Sequence, residues 1–137
     1  MCGRNAILLS VASYENKEIS GTAVCPALHR RCVFSNLTQL LLKMEDMLNE
    51  LNTPQRAMEL RTFGSWREQP SPQEERESAG PVLATMKVTV LFRQNASWQG
   101  TVEWTEQRME AHFRSVLELI MLMDSALTAA QDSVQRR

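Results

Sequence analysis

Between Leu37 and Leu51 the apolar residues Leu37, Leu40, Leu41, Met44, Met47, Leu48 and Leu51 return every three or four positions. Lys43, Glu45, Asp46, Asn49 and Glu50 fill the opposite side, so the period predicts an amphipathic helix with one buried stripe. Ser35 or Asn36 supplies the cap, because a short side chain can accept from the orphan amides of a first turn. Gln39 is placed to reach back as in a capping box. Pro54 cannot continue a helix interior but suits the start of a second helix over 54–61. Residues 34–63 therefore read as one amphipathic helical segment.

After Pro81 the period changes to two. Val88, Val90 and Phe92 alternate with Lys87, Thr89 and Arg93, which predicts a half-buried strand with Leu91 out of phase. Asn95 and Ser97 bring turn chemistry. Trp98, Gly100, Val102 and Trp104 then form the inner face of a second strand, where Gly100 marks a bulge or a place of close approach. Met109, Ala111 and Phe113 alternate with Arg108, Glu110, His112 and Arg114, predicting a third strand over 108–114. Ser115 and Glu118 form a capping box ahead of a helix with the stripe Val116, Leu119, Ile120, Met123, Leu127 and Ala130. The expected fold class is α+β in the order α-β-β-β-α: an N-terminal helix, a three-stranded antiparallel sheet and a C-terminal helix packed on it.

The other segments show no sustained period. Residues 1–33 mix Gly, Ser and Asn with scattered hydrophobes and read as a weakly ordered leader. Residues 64–81 are polar and proline-containing, too poor in apolar surface to offset the entropy of ordering, and read as a flexible linker. Trp66 is the large hydrophobe within it, either folded back on the core or serving as a partner anchor. The β-β-β-α unit occupies 82–137. No internal repeat is visible.

Composition narrows the function classes. Fifteen Lys and Arg against 16 Asp and Glu leave a formal charge of −1, which gives no bulk attraction to nucleic acid or anionic membrane. No apolar run approaches the roughly 20 residues of a membrane span. Arg4 and the stretch 6–12 make only a minimal signal-like pattern without a cleavage site. The three cysteines all fall within the first 32 residues, which fits a reducing cytoplasm better than a disulfide framework.

Candidate chemistry is sparse. Cys25, His29 and Cys32, with Cys2 as a fourth, are zinc-type ligands, but their spacing departs from paired knuckles. His112 stands without a nearby nucleophile or acid, and Ser97 and Ser115 have turn and cap duties. No catalytic residues, metal ligands or cofactor are therefore assigned, and the expectation is a non-enzymatic protein.

The run 91–100 (Leu-Phe-Arg-Gln-Asn-Ala-Ser-Trp-Gln-Gly), Val102-Glu-Trp104, and 113–120 followed by Leu122-Met-Asp-Ser-Ala-Leu127 are similar to a family of short uncharacterised proteins from anaerobic gut bacteria. The segment from Asn36 to Glu45 and Pro54-Gln55 resemble the front part of that family. The resemblance covers about residues 34–128 and implies no activity, cofactor or site. Met1-Cys-Gly-Arg4 resembles the opening of the SRAP family, whose later Asn, Glu and His positions have no counterpart in this chain.

Two functions are expected from these features. The first is a cytoplasmic protein-interaction module that binds a protein partner or itself, through Leu117, Met121 and Leu122 of the last helix and Trp66. The alternative is a nucleic-acid-associated accessory protein whose polar sheet face presents Lys87, Arg93, Arg108 and Arg114. Glu103 and Glu110 interleave with those cations, so cross-strand pairing is their plainer role.

Overall fold

The computed structural model describes residues 6–51 and 82–135. The strands are β1 (Ala6–Glu15), β2 (Glu18–Cys25), β3 (Arg30–Phe34), β4 (Ala84–Phe92), β5 (Gln99–Trp104) and β6 (Met109–Phe113). Helix α1 (Leu37–Leu51) follows β3, and helix α2 (Val116–Gln135) follows β6. All six strands join one antiparallel sheet in the order β3-β2-β1-β4-β5-β6. The expected three-stranded sheet is thus half of the real one.

Residues 6–34 correct the expectation of a weakly ordered leader. β1 is a central strand, paired with β2 on one side and β4 on the other, and Ile7, Leu9 and Val11 are fully buried. Cys25 and Cys32 belong to the same core. The linker assigned to 64–81, the second helix at 54–61 and the SRAP-like residues 1–4 lie outside the described residues.

The chain repeats one unit twice: hairpin, 3₁₀ turn, edge strand, helix. One constant displacement along the sequence carries Val11 to Val90, Gly21 to Gly100, Phe34 to Phe113, Leu40 to Leu119, Met44 to Met123 and Leu48 to Leu127. The backbone obeys the same rule. Asn16 and Lys17 turn the first hairpin with positive φ, as Asn95 and Ala96 turn the second, and His29 and Arg108 close the two 3₁₀ turns in the left-handed region. Two successive residues of positive φ match the right-handed twist of a hairpin, which is why Asn recurs there. β1 and β4, the first strands of the two units, pair at the centre of the sheet.

Both helices cover the same sheet face. Leu40, Met44, Met47 and Leu48 of α1 and Leu119, Met123, Ala126 and Leu127 of α2 form one cluster with Leu9, Val11, Met86, Val88 and Val90. Full burial stabilises each such side chain by about 1.5–3 kcal/mol. The caps are as expected: Asn36 Oδ1 accepts from the Gln39 amide at 2.8 Å, and Ser115 Oγ accepts from the Glu118 amide at 3.2 Å. Gln39 and Glu118 reach back to the amides of Ser35 and Arg114, both at 2.7 Å.

One feature of β4 reverses the expected facing. The ladder skips Leu91, so that Val90 opposes Gly100 while Phe92 opposes Gln99. This bulge flips the phase: Phe92 turns outward, 55% exposed, and Arg93 turns under the helices, 4% exposed. β1 has the equivalent shift at Ala12. A Cβ on Gly100 would lie 2.0 Å from the Thr89 carbonyl oxygen, and one on Gly21 would lie 2.1 Å from that of Ser10. Glycine is required at both places because the bulged strand passes too close for any side chain.

Candidate functional site

The two bulges deliver one polar side chain from each unit to the helix of the other. Arg93, from the second unit, donates to Asn49 Oδ1 at 2.8 Å and to Glu45 Oε1 at 3.3 Å on α1. Trp98 Nε1 donates to the same Glu45 oxygen at 3.0 Å. A buried guanidinium is tolerated only where its charge is matched, and Glu45 matches it.

The first unit makes the reciprocal contact with a different residue set. Tyr14, at the position equivalent to Arg93, donates its hydroxyl to Asp124 Oδ1 on α2 at 2.6 Å, and Asp124 occupies the place of Glu45. Lys17 donates to the same oxygen at 2.8 Å, with its ammonium 5.7 Å from the Tyr14 ring centre. Burial, then the Asp124 hydrogen bond, push the Tyr14 hydroxyl up to about 12. Hydrogen bonds from Lys17 and then Tyr14 hold the Asp124 carboxyl below its ordinary value.

Ile19 stands where the second unit has Trp98, and the smaller side chain leaves a cleft. Tyr14, Lys17, Ile19, Leu37, Ile120 and Asp124 are among the residues that line it. Its space of about 30 Å³ has room for a water or two. The cleft marks the joint between two halves and is too small for a metabolite.

The expected interaction residues separate. Leu117 and Met121 lie one turn apart on the outer side of α2, 65% and 62% exposed. Leu122 does not share their face: it is partly buried against the core. Trp66 lies outside the described residues.

The expected nucleic-acid face loses Arg93. Arg93 sits on the helix side of the sheet with Glu45, for the reason of phase given above. Lys87 is on the open face opposite Glu103. Arg108 caps a 3₁₀ turn, and Arg114 folds back on Glu118 at 2.6 Å, which draws the Glu118 carboxyl down to about 2. Among the described residues no group of three or more His, Cys, Asp or Glu could hold a metal ion. Cys25 and Cys32 are buried on neighbouring strands while His29 is exposed, and burial pushes the Cys25 thiol up. No described helix is long and apolar enough to cross a membrane.

No family model, curated protein or solved structure matches this chain.

The two reciprocal contacts, Arg93 with Glu45 and Tyr14 with Asp124, act as latches between the units and carry no local signal in the sequence. Their signal is non-local, the pairing of an out-of-phase residue, Ala12 or Leu91, with the glycine of the next strand, Gly21 or Gly100.

Proposed function

We propose that this chain is a non-enzymatic protein-interaction module that presents the Leu117–Met121 ridge of α2 to an amphipathic helix of a partner protein. The observation behind it is the exposure of two large side chains at i and i+4, the spacing at which a partner helix meets apolar anchors. About two thirds of each side chain remains to be covered, and covering it would contribute roughly 1–2 kcal/mol per residue. The sheet and the two latches hold the ridge in place, so little ordering cost falls on binding. A cytoplasmic setting belongs to the same proposal, since Cys25 and Cys32 serve as small core residues.

Selection of displayed amphipathic helical peptides on the intact protein tests this reading. Enriched peptides should carry apolar residues at i, i+3 or i+4 and should lose at least tenfold in affinity for a Leu117→Glu, Met121→Glu variant that keeps its circular dichroism. Absence of enrichment, or equal binding to the variant, would reject it.

A further inference from the structure

The duplication supplies an internal control for the two edges of the sheet. At the β3 edge Arg30 pairs with Glu50 of α1, and Lys43 donates to the Val33 carbonyl. Charged side chains and an occupied carbonyl are the usual means of keeping an edge strand from pairing with another chain. At the β6 edge every one of these positions is apolar: Met109 replaces Arg30, Leu122 replaces Lys43 and Ala129 replaces Glu50. Met109 is 60% exposed on an edge strand. Leu122 and Ala129, seven residues apart, lie on one flank of α2, round the helix from the Leu117–Met121 ridge.

We propose that β6 is a self-pairing edge, joining two copies of this chain antiparallel into one continuous twelve-stranded sheet. The occupant is a second copy because β6 is complementary to itself. With the two-fold axis at Ala111, Glu110 of each copy faces the partner's His112, and Met109 faces the partner's Phe113. Glu110 and His112 share the open sheet face, opposite Glu103 and Thr101, so both cross-strand pairs form on that side. Val33, the β3 counterpart of His112, turns its carbonyl outward to Lys43. The same register turns the backbone of Glu110 and His112 outward, which are the residues that this pairing joins. On the helix side Met109 lies against the partner's Phe113 and Leu122, and the small Ala129 lets the two α2 helices approach. This interface goes beyond the ridge proposed above and stands or falls separately from it.

Sedimentation equilibrium of the full chain should give twice the 15.6 kDa mass at micromolar concentration. Met109→Lys should weaken the dimer at least tenfold. Glu110→Lys alone and His112→Glu alone should each weaken it severalfold, and the two together should restore it, since the exchange re-forms both pairs. A monomer at 100 µM would overturn the proposal. So would a dimer indifferent to Met109→Lys, or one that the double exchange does not rescue. Protection of the outward Glu110 and His112 amides from hydrogen exchange in a monomer would show the edge covered from within the chain, and would overturn it equally. The Leu117→Glu, Met121→Glu variant should remain dimeric, which separates this test from that of the ridge.

Discussion

Replacing Arg93 by Met probes the contact by which the second unit grips the first. The side chain is 4% exposed, and its guanidinium is matched by Glu45, whose side chain is 15% exposed. Methionine keeps most of the apolar stem but removes the hydrogen bonds at 2.8 and 3.3 Å. Each charge-assisted bond contributes about 1.5–3 kcal/mol, and removing one member of a buried pair costs about 3–5 kcal/mol because the other charge stays behind. Trp98 Nε1 still donates to Glu45, and Glu45 can relax toward solvent, so the lower end applies: about 3 kcal/mol. For a chain of this size that lowers Tm by roughly 10 °C. Urea unfolding of Arg93→Met, Glu45→Gln and the double variant measures it. The double variant should be less destabilised than the sum of the singles by at least 1 kcal/mol. A loss below 1 kcal/mol for Arg93→Met, or strict additivity, would refute the latch.

Three further outcomes follow from the same geometry. Tyr14 is the one tyrosine of the chain, so phenolate absorbance reports it alone and should show a midpoint near pH 12. Its folded pKa lies above the unfolded value, so stability is intact below about pH 10 and falls as pH rises from 10 to 12; Asp124→Asn should lower the midpoint. Gly100→Ala and Gly21→Ala, which at an unstrained site would stabilise by about 0.4–1 kcal/mol, should instead cost about 3 kcal/mol each in denaturant titration, because the methyl meets a backbone oxygen. Ser115→Ala should cost about 1 kcal/mol through loss of the α2 cap, read as a shift in denaturation midpoint at constant slope.

Local signals account for what was legible. α1, β4, β5, β6 and α2 announce themselves by period and by capping boxes, so the switch from strand to helix at Arg114 and Ser115 falls where the sequence places it. The first three strands lack such signals. β1 carries Leu8 on the open face between Ile7 and Leu9, so the alternation of a half-buried strand is masked in its sequence. β2 has Ser20-Gly21-Thr22-Ala23 at its middle, where small residues and a glycine interrupt the β-branched positions Ile19 and Val24 and leave no clear alternation. Its order depends on pairing with β1, and that of β1 on pairing with β4, far along the chain.

The repeat escaped notice because few of its equivalent residues are identical, although the constraints behind them are shared. Phase was the other failure. A single extra residue at Leu91 exchanged the facings of Phe92 and Arg93, and with them the expected polar face and the observed latch. Among the candidate site residues, Leu117 and Met121 lie on the outer side of α2, whereas Leu122 packs against the core and Arg93 lies under the helices.

Cross-strand nuclear Overhauser contacts between β1 and β4 test most directly whether residues 6–34 complete a duplicated six-stranded sheet. The register predicts contacts of Ile7 with Val88 and of Leu9 with Met86, with slowly exchanging amides along β1. Rapid exchange throughout 6–34, with no contact to β4, would contradict it.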